Sequence, residues 1–175
     1  RYAASMAADK RALEAATHAL SARRQRDVLP GKIVTPRLVL RAPIRGDVQD
    51  LVRLADNRNI ADVMARLPHP YTRADGIAFV EIMAQRADHK PYAVALDDTL
   101  IGIVSFSYAP GAAPELGYWL GEPYWGQGYA TEAAQALIET AEATGQYQRI
   151  GAWALSHNAA SIRVLEKLRF RRADS

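Results

Sequence analysis

Cysteine is absent from the 175 residues. That gap removes disulfides, thiolate metal sites and a cysteine nucleophile together. It also makes a cytoplasmic location the expectation. No apolar run reaches the roughly 18 residues a membrane-spanning helix needs, so no membrane partner is expected. No signal-peptide pattern is recognisable. The 4 histidines lack close metal-ligand spacing, so no metal is expected. Excess charge is small too. A formal net charge of +3 suits an anionic ligand and is too weak to argue for nucleic acid. The arginines that cluster, Arg23, Arg24 and Arg26 near one end and Arg169, Arg171 and Arg172 near the other, read as two solvated basic surfaces. What the chain has is 49% hydrophobic side chains, enough for one domain with a core.

Residues 3–26 hold neither Gly nor Pro and read as one helix, ended by "LPGK" (Leu29 to Lys32). A packing arm, an oligomer contact such as a homodimer, and a peripheral helix are all open for it. Leu38 and Leu40 alternate within "RLVLRAP" (Arg37 to Pro43), a strand pattern. In the next helix Asp47 is placed to cap, and Val48, Leu51, Val52 and Ala55 share a face. "TRADGIAFVEIMAQRA" opens with Thr72 and Asp75 in capping-box spacing and carries an apolar stripe of Ile77, Val80, Met83, Ala84 and Ala87. "YAVAL", a turn at Asp97-Asp98, and "LIGIVSFSYA" predict a hairpin, and Glu115 to Leu120 a third strand. A helix follows over about Thr131 to Thr144, with Gly145 as its C-terminal cap. Arg149 to Ser156 reads as a strand, and Asn158 to Leu168 as a helix with Ile162, Leu165 and Leu168 inward. "RFRRADS" begins a last strand. The order strand, helix, strand implies parallel pairing by a right-handed crossover, whereas the hairpins are antiparallel. The expected class is α+β, a mixed, mostly antiparallel sheet flanked by helices.

The stretch "YWLGEPYWGQGYATEAAQALIETA" (Tyr118 to Ala141) sends a strand through a glycine turn straight into a helix. Helix starts carry unpaired N–H groups and partial positive charge. Gly126 and Gly128 clear side chains from the approach to the backbone, Ala130 is small, and Thr131 can cap the helix or bond an anion. Together these features favour a phosphate or pyrophosphate. The Walker pattern fails, because no Gly-Lys-Ser/Thr follows. The dinucleotide fingerprint also fails, with Thr131 at its third small position and no evident acidic residue downstream. A tight strand-to-helix connection, with glycine for geometry only, is the plain alternative.

"WGQGYA" (Trp125 to Ala130) resembles the acetyl-CoA loop of the GNAT acyltransferase superfamily, with Gly128 and Ala130 at its matching positions. Trp125 in place of the usual Gln or Arg is similar to the ribosomal-protein N-terminal acetyltransferase (RimJ/RimL-like) branch. "NAASIRVLEKLRF" (Asn158 to Phe170), "TPRLVLR" (Thr35 to Arg41) and "PYT" (Pro70 to Thr72) resemble that branch as well. The likeness implies an N-terminal helical extension over 1–34 and an acetyltransferase domain over 35–175. It implies splayed parallel central strands that admit the pantetheine arm of acetyl-CoA. The implied cofactor-binding residues are Tyr118, Trp119, Leu120, Gln127, Gly128, Tyr129, Ala130, Thr131, Asn158 and Ser161, with Asn158 also placed to cap its helix. Two departures stand out. Arg169 replaces the usual Gly after the last helix, at a left-handed position that costs a non-glycine residue roughly 1 kcal/mol. The chain also begins at Arg1 rather than Met, and it stops at Ser175 before the family's further strand. A truncated chain, or a last strand supplied from elsewhere, is the expectation.

Without cysteine, direct acetyl transfer to a primary amine in a ternary complex is the simplest route. At pH 7 a free α-amine with a pKa of about 8 loses its proton at a cost of roughly 1.4 kcal/mol, whereas lysine at about 10.4 needs more than about 4 kcal/mol. A peptide or protein N-terminus is therefore the easier acceptor, and an amine-bearing small molecule also fits. Glu115 is the expected general base, through a water. The oxyanion is expected to meet a strand amide near Trp119 or Leu120. The resemblance places a tyrosine acid on the last helix, where this chain has Leu165, so Ser161 or water protonates the leaving thiolate. His69 and His157 read as loop residues. Trp119, Trp125 and Trp153 flank the wedge and read as core packing. The competing reading is an acyl-CoA-binding regulatory module without turnover.

Overall fold

A computed structural model of the chain describes residues 2–64, 66–155 and 157–172, with side chains from residue 8 onward. Six strands form one sheet in sequence order. They are β1 (Lys32–Val34), β2 (Val39–Arg41), β3 (His89–Leu96), β4 (Thr99–Ser107), β5 (Glu115–Leu120) and β6 (Gly151–Ala152). The first five pair antiparallel, and β5 pairs parallel with β6. Helices α1 (Tyr2–Asp27), α2 (Val48–Ala55), α3 (Arg58–Ala61), α4 (Arg73–Glu81), α5 (Tyr129–Ala143) and α6 (Ala159–Lys167) flank it. The expected mixed, mostly antiparallel α+β class is the observed one. No helix of the described residues is long and apolar enough to cross a membrane.

Alternation along the strands divides the core into two layers. Tyr92, Val94, Val104, Phe106, Leu116 and Leu120 meet Ala133, Ala134, Leu137 and Ala141 of α5 on one face. Ala93, Ile103 and Trp119 meet Val48, Leu51 and Leu54 of α2 and Val80 of α4 on the other. The hairpin turn at Asp97 and Asp98 has φ of 47° and 65°. That double left-handed geometry follows the right-handed twist of the flanking strands. The carboxyl end of α1 is fastened to this body. Arg26 donates to the carbonyls of His89 (2.9 Å) and Ala84 (3.2 Å), and Tyr147 to the carbonyl of Gln25 (2.7 Å). Arg26 is thus an anchor rather than part of a solvated patch. Farther back, Leu13 and Leu20 are exposed.

Several local expectations are corrected. Residues Lys32–Val34 form a strand within the stretch assigned to the extension, and Ala22, Leu29 and Ile33 join the core. Asp47 holds the N-cap position of α2, but its side chain makes no cap hydrogen bond there. Its carboxylate is buried and accepts from both terminal nitrogens of Arg41 (2.8 Å each) and from the Ile44 amide (2.8 Å). The helix expected to run to Ala87 stops at Glu81, and a 3-10 turn over Met83–Gln85 leaves Met83 exposed. The capping box of Thr72 and Asp75 is present as read. The strand expected from Arg149 shrinks to Gly151–Ala152, for a reason that belongs to the site. Arg169–Arg172 form no strand, and the rest of the expected last strand, like Ser156, lies outside the described residues. Arg169 takes the foreseen left-handed conformation, φ 67°.

Candidate active site

The site is built where β5 and β6 part. They pair only at Glu115 with Gly151 and at Leu116 with Ala152. Beyond Leu116 the carboxyl half of β5 has no parallel partner among the described residues, and a cleft of about 680 Å³ opens there. This divergence is why β6 is so short. The ladder fixes which backbone groups face the gap. The Gly121 N–H donates to Ile101 on β4 at 2.8 Å, and the Gly151 N–H donates to Pro114 at 2.8 Å. Strand alternation therefore turns Trp119 N–H toward β4, and the polar groups of Tyr118 and Leu120 toward β6. The Leu120 carbonyl accepts from the Trp125 indole at 2.8 Å. The wedge is left with the Tyr118 amide and carbonyl and the Leu120 amide. Of the two positions expected to meet an oxyanion, only Leu120 points its N–H the right way.

At the mouth of the wedge lies the glycine turn. Gly126 and Gly128 have φ of 73° and 82°, conformations that side chains resist. Gly128 is the N-cap of α5, and its carbonyl accepts from the Glu132 N–H at 3.0 Å. Thr131 therefore sits inside the first turn and does not cap, which corrects that expectation. The first-turn amides of Tyr129, Ala130 and Thr131 have no intrahelical acceptor and lie at the positive end of the helix. The turn is held from outside by Arg37. Its Nε donates to Glu132 Oε1 at 2.7 Å, its Nη1 donates to the Gln127 carbonyl at 3.0 Å, and its guanidinium lies 4.3 Å over the Tyr129 ring. Burial pushes the Glu132 carboxyl up, but hydrogen bonds from Thr35 and Arg37 and the Arg37 charge bring it below the ordinary carboxylate value.

Across the wedge stands α6. Asn158 accepts from the Ser161 N–H at 3.1 Å and caps the helix as read. The hydroxyls of Tyr118 and Ser161 bond at 2.7 Å. Burial pushes the Tyr118 phenol up, against an opposing pull from the Ser161 bond. Tyr118, Trp119, Leu120, Gly128, Tyr129, Ala130, Thr131, Asn158 and Ser161 all line one cleft. Gln127 does not line it. Its side chain donates to the Pro123 carbonyl at 3.3 Å, and its own carbonyl faces Arg37. Glu115 is exposed at the closed end of the wedge, outside the lining, and shares a sheet face with Gly117 and Trp119. Trp119 is buried as core. Trp125 and Trp153 are exposed, which corrects the core reading for both. His157 touches the Asp62 carbonyl at 3.3 Å, and His69 lies 3.8 Å from Asp56.

The wall opposite α6 was not legible beforehand. Ile60, Val63 and Met64 supply an apolar face, and Asn59 a polar rim. Asn59 and Asn57 donate to Glu122 at 3.0 Å and 2.7 Å, bonds that hold its carboxyl below the usual range. Neither this wall nor the Arg37–Glu132 pair has a sequence signature of its own. Arg37 could have been found only through the "TPRLVLR" stretch, with no hint that it reaches a residue 95 positions away.

A model of the acetyltransferase (GNAT) domain matches residues 37–171. The uncharacterized N-acetyltransferase YnaD of Bacillus subtilis is 33% identical over 143 residues, 80% of this chain and 82% of that protein. The crystal structure of a GNAT-family acetyltransferase from Bacillus anthracis superposes with a TM-score of 0.72 at 26% identity, over 82% of this chain and 85% of that one. The ribosomal alpha-N-protein acetyltransferase RimL, in its apo crystal form, superposes with a TM-score of 0.68 at 26% identity over 78% of each chain. Its complex with coenzyme A gives 0.69 at 24% identity, over 78% of this chain and 81% of that one.

Proposed function

Because the chain belongs to the GNAT acetyltransferase family, whose co-substrate is acetyl-CoA, we propose that it transfers the acetyl group directly to a primary amine, with a peptide or protein N-terminus as the preferred acceptor. The observation that carries this reading is the divergence of β5 from β6, with the glycine turn at the mouth of the gap. An extended chain carrying amides can pair with Tyr118 as an added strand would. A diphosphate suits the first-turn amides of α5, where Ala130 adds no bulk. Acetyl-CoA supplies the activated acyl group, and this chain's residues orient it, accept its charge and move protons.

The Leu120 amide points into the wedge and meets the negative charge that develops on the acetyl carbonyl oxygen. Such a fixed donor contributes about 3 kcal/mol in comparable acyl transfers. The Tyr118–Ser161 hydroxyl pair delivers a hydrogen bond to the departing sulfur. Ser161 is the member on α6, held in place by the Tyr118 hydroxyl at 2.7 Å, and coenzyme A leaves as a hydrogen-bonded thiolate that takes its proton from solvent. On the opposite face Gly117 puts no side chain between Glu115 and Trp119, and Glu115 is assigned the amine proton, relayed through water. An α-amine at a chain terminus suits so exposed a base, because its deprotonation at pH 7 costs only about 1.4 kcal/mol. Asn59, Ile60, Val63 and Met64 offer the acceptor a mixed wall. RimL, similar in fold, is an alpha-N-protein acetyltransferase, which agrees with this choice.

Release of free thiol from acetyl-CoA across a panel of peptides with free or blocked α-amines tests the reading. Turnover is expected with free termini and not with blocked ones. Binding of coenzyme A with no thiol release from any amine would refute transfer and leave a binding module.

A further inference from the structure

Arg37 makes a set of contacts that the sheet does not need. It lies in the turn between β1 and β2, and it touches three consecutive residues of the glycine turn and the first turn of α5. Its Nη1 takes the Gln127 carbonyl at 3.0 Å, its Nη2 stands 3.3 Å from where a Cβ on Gly128 would be, and its plane covers Tyr129 at 4.3 Å. Its Nε holds Glu132 at 2.7 Å, and its backbone N–H holds the other carboxylate oxygen at 3.0 Å. Thr35 Oγ1 donates to that same oxygen at 2.6 Å.

Two of these partners carry negative charge toward an anion site. A carbonyl oxygen in the turn repels a diphosphate if it points inward. A carboxylate in the first turn of a helix competes with a bound anion for the same positive end. We propose that Arg37 is a positioning residue for the diphosphate of acetyl-CoA: it draws the Gln127 carbonyl outward and neutralises Glu132, so that the first-turn amides of α5 present net positive potential. This rests on the reading of the glycine turn as the diphosphate site. Glu132 is then a scaffold that grips Arg37 at its Nε and at its backbone N–H, and Arg37 makes the scaffold tolerable to an anion.

The test is calorimetric titration of the whole chain with coenzyme A, beside a thermal melt of each variant. Arg37→Ala should weaken binding by about tenfold or more, the scale of one uncompensated charge at a partly exposed helix start. Glu132→Gln in the wild-type background should weaken it slightly, because the guanidinium loses its orientation. Glu132→Gln added to Arg37→Ala should tighten binding relative to Arg37→Ala alone. That reversal of sign is something a purely structural role would not produce. If Arg37→Ala fails to fold, Arg37→Gln, which keeps a donor and loses the charge, carries the same comparison. Equal affinity of a folded charge-removing variant and the wild type would overturn the inference, as would further weakening in the double variant. Failure of the wild type to bind coenzyme A would overturn the diphosphate reading and this inference with it.

Discussion

Gly128 offers the sharpest test of the site, because two substitutions there separate backbone from charge. The residue caps α5 with φ 82° and ψ 5°. Any L side chain in that conformation costs about 1–2 kcal/mol. A Cβ would lie 3.3 Å from Arg37 Nη2, the end of a flexible side chain that can shift a few tenths of an ångström. Gly128→Ala should therefore fold, with its melting midpoint lowered by roughly 2–8 °C. Gly128→Glu carries the same backbone cost and adds a carboxylate beside the first-turn amides. At about 5 Å from one diphosphate charge, with an effective dielectric of about 20, repulsion is about 3 kcal/mol, or roughly two hundredfold in Kd. The new carboxylate would also compete with Glu132 for Arg37, an effect of the same sign. Titration with coenzyme A at low and high salt reads the difference between the two variants, which should shrink as salt screens it. If Ala and Glu at this position bind alike, the diphosphate does not lie on this turn and the reasoning fails.

Removal of the Tyr118 hydroxyl with Tyr118→Phe should lower kcat about tenfold, less than the roughly hundredfold or more of a direct proton-transfer partner, and Ser161→Ala should lower it more. Thiol release with a peptide acceptor measures both, and a Tyr118→Phe enzyme with unchanged kcat would detach the pair from chemistry. Gly102→Ala should destabilise the fold by about 3 kcal/mol or more, because the Cβ would collide with the Trp119 carbonyl and approach Leu120 Cα to 2.9 Å. A thermal melt within 2 °C of wild type would contradict that. Burial, helped by the Arg86 and Arg26 charges and opposed by Asp88, lowers the pKa of His89, whose Nε2 has no hydrogen-bond partner. With the folded value below the unfolded one of about 6.5, stability is full above that pH and is lost as pH falls toward the folded value. Melts at pH 7.5 and 5 should show this loss, and His89→Phe should flatten it.

Much of the fold was legible because its signals are local. Alternation marked the strand at Leu38 and Leu40, and the runs on either side of the Asp97-Asp98 turn marked the hairpin, whose turn takes positive φ. Thr72 and Asp75 announced a helix start, and Gly145 a helix end. The glycine turn proposed to hold the diphosphate was legible for the same reason. Gly126, Gly128 and Ala130 are adjacent, and a glycine turn before a helix has few uses. Errors arose where a side chain had a distant or competing partner. Asp47 looks like a cap by spacing, but the Arg41 guanidinium lies within reach and a charged pair wins. The stripe through Met83 continues a helical period, but the chain turns at Ile82 to deliver β3, and one apolar face ends exposed.

By itself, the sequence determined the order of the larger helices and of strands β2 to β5, the glycine turn, the left-handed residue at Arg169, and the lack of a thiol in the chain. Each depends on neighbours a few positions apart, where backbone sterics and periodicity act directly. Tertiary structure alone decided that β6 leaves β5 after two residues, that Leu120 rather than Trp119 turns its amide into the gap, and that Arg37 grips a helix 95 positions along the chain. Those outcomes depend on which ladder a strand joins and which charges packing brings together, and both are settled only when the chain closes on itself.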